Sequence, residues 1–176
     1  MKNLSSAAVT LILAALLVSC QQKIEPVNKN ASPEAKALLE YLYTISGEKI
    51  ISGHHNGSRN MNQWHKYVED LTGKSPAIWG SDFISYFQEG NPEGVIKEAI
   101  QRHKDGYIVT LMWHTGRPQD DPPFAWKTST QGEVSDQEWE ALTTPGTDLH
   151  AKWEARVDSI AGYLKLLREL YIPVFW

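Results

Sequence analysis

Apolar positions along this chain alternate between helical spacing and short unbroken runs. In SPEAKALLEYLYTISG, Leu38, Leu42 and Ile45 fall on one face, Ser32 caps, Pro33 sits in the first turn and Gly47 stops the pattern, which predicts a helix. KIISGHH is a short β-branched run closed by Gly and two His, and it predicts a strand. NQWHKYVEDLTG returns to helical spacing with Trp64, Val68 and Leu71 as its stripe. SPAIWGSDF predicts a second strand. NPEGVIKEAIQRHKDG predicts a helix capped by Asn91, with Pro92 in its first turn and Gly106 at its end, running into the strand YIVTLMWH.

A long segment rich in Pro, Gly, Thr and Asp, TGRPQDDPPFAWKTSTQGEVSDQEWEALTTPG, reads as a loop, and loops of that length tend to carry function. The helix after it places Trp153, Val157, Ile160, Leu164 and Leu167 on one stripe and delivers the chain to the apolar run YIPVFW. Repeated βα units with nearly continuous apolar strands imply an α/β fold with a parallel sheet under helices. Four strands are half of a (β/α)8 TIM barrel, strands one to four. The 176 residues are too few for the whole barrel, which takes about 250.

The first residues change the picture of where the chain works. MKNLSSAAVTLILAALLVSC has an early Lys, an apolar stretch from Ala7 to Val18 and small residues before Cys20, the pattern of an export signal. Leu17-Val18-Ser19-Cys20 resembles the bacterial lipobox, whose Cys becomes the lipidated first residue of the mature chain. The expected organisation is a lipoprotein signal over residues 1–19, a polar tether over 20–31 and the barrel half over 32–176. Lipidation of Cys20 would anchor the protein in the cell envelope, at the outer membrane of a Gram-negative bacterium. A plain secretory signal that happens to contain a Cys is the alternative. The formal net charge of -4, with both signs mixed along the chain, forms no basic stripe for phosphates, so no nucleic-acid partner is expected.

In parallel β/α barrels the functional residues lie at the carboxyl ends of strands. Here those ends read His54-His55, Asp82-Phe83 and Trp113-His114. Asp82 could equally form a turn, and His114 could be a core histidine held by a carbonyl. His54 and His55 are adjacent, so they point to opposite sides of their strand and cannot act as a His-x-His metal pair. No metal site and no cofactor are expected. There is no Gly-x-Ser-x-Gly, and the single Cys belongs to the expected lipid anchor. Carbohydrate chemistry remains, since the chain has seven Trp and seven Tyr to serve as sugar platforms. The carboxylate pair that glycoside hydrolysis requires is missing: Asp120, Asp121, Glu133, Glu138 and Glu140 lie in or beside the polar loop, where solvated carboxylates are common.

ISGHH, PAIWGSDF, TLMWH with Pro118 shortly after, and the terminal YIPVFW resemble, in order and spacing, the strand motifs of glycoside hydrolase family 26, the β-mannanase family of retaining (β/α) barrel enzymes. The likeness runs from about Ser32 to Trp176. It implies that the YIPVFW strand leads into a segment bearing the acid/base Glu and that the nucleophilic Glu lies on a later strand. By that resemblance the chain is cut in its fourth strand, carries no catalytic residue of its own and is inactive alone. The resemblance also implies substrate-binding roles for His114 and Trp113 at the third strand, Asp82 at the second and His54 at the first, with Trp126 a candidate sugar platform. Where relatives often carry Asn before the Pro, this chain has Thr115-Gly116-Arg117.

The leading expectation is therefore the first half of an envelope-anchored, retaining hydrolase acting on β-mannan or a related β-glycan. A non-catalytic glycan-binding surface lipoprotein is the alternative from another class, and a barrel metallohydrolase is a third.

Overall fold

The computed structural model describes residues 25–83, 91–122, 124 and 126–176, without the side chains of Trp126 and Thr128. Cys20 and the signal segment 1–19 lie outside the described residues, as do residues 20–24 of the tether. The chain divides into two units, Met1–Ala31 and Ser32–Trp176. In the first, a turn is closed by Ala31 N–H donating to the Asn28 carbonyl at 3.0 Å and Asn30 N–H donating to Asn28 Oδ1 at 2.9 Å.

The second unit runs α1 (Pro33–Ile45), β1 (Gly53–Asn56), α2 (Gln63–Thr72), β2 (Ile78–Asp82), α3 (Pro92–Lys104), β3 (Ile108–Met112), α4 (Trp126–Gln131), α5 (Asp136–Thr143), α6 (Asp148–Glu169) and β4 (Val174–Phe175). The starts of α1 and α3 follow their predicted caps: Ser32 Oγ accepts from Ala35 N–H, and Asn91 Oδ1 accepts from Gly94 N–H. Gly47 and Gly106 take left-handed backbone, as stop signals should.

The four strands lie in the order β1-β2-β3-β4, all parallel. Register sorts their side chains onto two faces. His54, Trp79, Val109 and Val174 stand in one row, with Asn56, Ser81 and Leu111 two residues further along on the same face. Trp79, Val109, Leu111, Asn56 and Ser81 are buried, and Val95, Ile96 and Ala99 of α3 and Leu167 of α6 join them in the core. The opposite face carries the row His55, Gly80, Thr110 and Phe175, then Asp82 and Met112. Its members from β3 and β4 are half-buried or exposed. We refer to it as the inner face.

The turn into β4 is built without glycine. Tyr171 adopts left-handed backbone, its N–H donates to the Arg168 carbonyl, and Ile172 N–H donates to the Leu167 carbonyl, both at 3.0 Å. That pair of bonds is a Schellman closure, and the two residues at its ends, Leu167 and Ile172, are both buried.

Four expectations need correction. β1 begins at Gly53, so Ile50 lies outside the strand and is 99% exposed; pairing with β2 starts only where Gly53 meets Ile78. In α2 two of the three expected stripe residues face outward, Trp64 at 44% and Leu71 at 68% exposed, Val68 is half-buried, and His65 is 4% exposed. A polar contact from β1 sets that rotation, because Asn56 Oδ1 accepts from Trp64 N–H and Asn56 Nδ2 donates to His65 Nδ1. The long segment after β3 is not an open loop, since it contains α4 and α5. Ser135 and Glu138 form a capping box that nucleates α5, a signal present in the sequence as S-x-x-E. Val157, finally, is exposed on α6, where its neighbour Arg156 turns toward the preceding loop.

Candidate functional site

The carboxyl ends of β2 and β3 bring two expected residues together. Asp82 closes β2 on the inner face and is buried; His114 follows β3 by two residues. The His114 ring donates through Nδ1 to Asp82 Oδ2, and His114 N–H donates to Asp82 Oδ1 at 3.4 Å. One carboxylate thus engages both the main chain and the ring of the same residue. With the proton on Nδ1, the ring presents Nε2 away from Asp82 as an acceptor, or as a second donor when the imidazole is charged.

His54 does not join this pair. Its row is that of Trp79 and Val109, and its ring sits edge-on to His65 at 6.4 Å on the helix-covered side. Strand alternation puts His55 on the inner face instead, in electrostatic reach of both Asp82 and His114. Desolvation is the largest influence on His55 and lowers its pKa; Asp82 opposes that shift and His114 adds to it. Sequence alternation could have identified His55, once the register with Asp82 was known.

Trp113 is committed on one side. Its ring stacks on Trp153 of α6, with centroids 5.6 Å apart and planes at 15°, and packs against the core. Trp126 is the first residue of α4, and its side chain lies outside the described residues.

The segment following His114 is held down by α6. Arg156 donates to the carbonyl oxygens of Arg117, at 2.9 Å, and Asp120, and its guanidinium stands 4.8 Å over the Phe124 ring. Burial pushes the Arg156 pKa down, against the pull of Asp121 and Asp120. Lys152 donates to the Gln119 carbonyl at 3.2 Å and pairs with Asp121 at 2.8 Å. Arg117 grips Asp120 through two bonds of 3.0 and 2.8 Å. Asp120 and Asp121 are thereby engaged in holding the loop, and Glu138 in capping α5. Within the paired rows of the sheet, Asp82 is the single carboxylate on the inner face. Among the described residues no three His, Cys, Asp or Glu side chains gather as a metal-binding set.

The sequence matches the model of the family described as Glycosyl hydrolase family 26 over residues 27–176. Among curated relatives, a mannan endo-1,4-beta-mannosidase of Thermothelomyces thermophilus is 30% identical over 157 residues, covering 85% of this chain and 32% of the relative. Mannan endo-1,4-beta-mannosidase B of a Piromyces species is 27% identical, covering 88% of this chain and 28% of its own length. Among solved structures, GH26A of a Muricauda species superposes with a TM-score of 0.80 at 43% identity, over 85% of this chain and 49% of that one. The Bacillus subtilis mannanase man26 superposes with a TM-score of 0.73 over 87% of this chain and 48% of that one; at 19% identity it speaks for the fold alone. The chain thus spans about a third of the length of these curated relatives and about half that of the solved chains. The parallel four-stranded sheet and its helices correspond to the N-terminal half of a (β/α)8 barrel. On the family match and these likenesses together, this chain belongs to glycosyl hydrolase family 26.

Proposed function

We propose that this chain forms the saccharide-binding half of a retaining endo-1,4-β-mannosidase-like site, working in a barrel whose acid/base and nucleophile Glu come from outside the four strands described. The observation that carries this reading is the Asp82–His114 pair, fixed on the inner face where strand ends meet in barrels of this class. A buried carboxylate that orients an imidazole gives a positioned hydrogen-bonding edge for a sugar hydroxyl. Retaining hydrolysis needs two carboxyl groups about 5–5.5 Å apart across the glycosidic bond, and Asp82, already engaged with His114, cannot fill both roles. The mannanase relatives support β-mannan as the substrate class.

Asp82, the single carboxylate on the inner face within the paired rows of the described residues, also favours a second reading, a glycan-binding protein without hydrolytic activity. One experiment separates the two: the chain alone and a chimera carrying the C-terminal half of the Muricauda GH26A barrel are assayed for reducing ends released from β-mannan. The proposal expects hydrolysis by the chimera, loss of it in the chimera bearing His114→Ala, and none by the short chain. Clear hydrolysis by the monomeric short chain would overturn the placement of the carboxylates. A chimera that binds mannan without cleaving it would favour the binding protein.

We further propose that Cys20 carries the lipid anchor and holds the protein at the outer membrane, on the strength of its lipobox-like context. Two acyl signals make such anchoring stable where one chain is marginal. Labelled palmitate should enter the wild-type protein and not Cys20→Ser; equal labelling of both would refute the site, and recovery in the inner-membrane fraction would refute the location.

A further inference from the structure

We propose that His55 is a further saccharide-contacting residue, one that reads a sugar hydroxyl on the inner face beside the Asp82–His114 pair. The inference rests on the saccharide-binding reading above. Register places His55 opposite Gly80, which in turn faces Thr110, and Asp82 stands on the same face two residues beyond Gly80, about 6.6 Å along the strand. Gly80 leaves room for the ring. A Cβ there would lie 2.9 Å from Thr110 Cγ2 and 3.5 Å from His55 Nδ1, so the imidazole leans over the glycine toward the middle of the sheet rather than away from it.

The ring is also uncommitted. None of the hydrogen bonds among the described residues involves it, whereas His114 is bound to Asp82 and His65 to Asn56. A neutral imidazole offers one donor and one acceptor, which matches a hydroxyl group, itself both donor and acceptor. Desolvation and the nearby His114 favour that neutral form, while Asp82 works against it. The flanking Thr110 and Phe175 add a methyl group and an aromatic ring to the same row, suited to the C–H face of a pyranose. An imidazole without a hydrogen-bond partner among the described residues, aimed across a glycine notch beside an oriented Asp–His pair, has the chemistry of a ligand contact.

The test titrates the full chain with mannotetraose and, separately, cellotetraose by calorimetry, for wild type, His55→Phe and His55→Gln. Ring 15N shifts of the histidines and the Tm are recorded alongside. The expected result is a weakening of roughly two- to tenfold in His55→Phe at unchanged Tm, partial recovery in His55→Gln, and a His55 ring shift on saturation of the wild type. Wild-type affinity in both variants would overturn the role of His55 and leave the saccharide-binding reading standing. Binding of cellotetraose alone, with the same dependence on His55, would overturn the mannan assignment and keep the inference. A chain that binds neither sugar overturns both. If His55→Phe does not fold, the decision passes to His55→Gln and the wild-type ring shift, and no movement of that resonance refutes the contact.

Discussion

Asp82 receives two hydrogen bonds from a single residue, His114, one from its main-chain N–H and one from its ring. The carboxylate therefore fixes the ring against the backbone that carries it, across the junction of β2 and β3. Replacing it by Ala removes both acceptors and leaves a partly buried donor without its partner. Asp82→Ala should cost about 1–3 kcal/mol in urea unfolding. Asp82→Asn, which keeps an oxygen in place, should cost less. The 15N spectrum should show His114 changing its tautomer balance in both. A wild-type His114 spectrum in Asp82→Ala would contradict the assigned role.

Gly80 and Thr110 meet on the inner face with no space for a further carbon, since an added Cβ would stand 2.9 Å from Thr110 Cγ2. Gly80→Ala should destabilise by about 1–3 kcal/mol, in the range of an overpacked core. Thr110→Ser removes the opposing methyl group. The double variant should recover part of the loss, and strict additivity of the two changes would show that the contact is not the cause.

Tyr171 holds left-handed backbone that an L-residue adopts at a cost of about 1–2 kcal/mol. Tyr171→Gly removes that cost but loosens the unfolded chain, so a net gain of roughly 0.5–1 kcal/mol is expected. Thermal unfolding reads it directly. A drop in Tm would mean that the Tyr171 side chain contributes more than the backbone strain removes.

Acid should weaken the fold through His65. Its pKa is lowered chiefly by burial, then by His54 and Arg102, with Glu69 and the Ile78 main chain opposing. Asn56 Nδ2 donates to His65 Nδ1, so a protonated ring would set donor against donor. A base with a lowered folded pKa binds its proton more readily when unfolded. Stability should therefore fall as pH drops below about 6.5, the unfolded value, and level off beneath the folded pKa. His55 contributes in the same direction. Urea midpoints between pH 8 and 5 should show this slope in the wild type and a shallower one in His65→Phe; equal slopes would exclude His65 as a source.

Much of this architecture is legible from local signals. Ser32, Asn91 and Gly106 mark helix ends through hydrogen bonds and backbone conformations that act within a few residues; three of the four runs contain their strands, and the first, KIISGHH, overlaps β1 only at its Gly-His-His end. The outward turn of α2 is not legible in that way, because Asn56 fixes it from another element. The choice between His54 and His55 is similar: alternation separates the two residues, but only pairing with β2 shows which of them shares a face with Asp82. The polar segment after β3 conceals α4 and α5 because its apolar positions are sparse, although Ser135 and Glu138 announce the start of α5.

The grip of α6 on the segment after His114 falls largely on carbonyl oxygens, those of Arg117, Gln119 and Asp120. Every amino acid supplies that oxygen. Position 119 can consequently change its side chain while Lys152 keeps its hold on the backbone, and Arg117 and Asp120 can be exchanged as a pair at the loss of their own contact but not of Arg156's. The path of this segment is thus separated from its surface chemistry. Such a division lets the rim beside the Asp82–His114 pair diversify by point substitution, and it marks residues 117–120 as the place to begin a redesign of ligand preference.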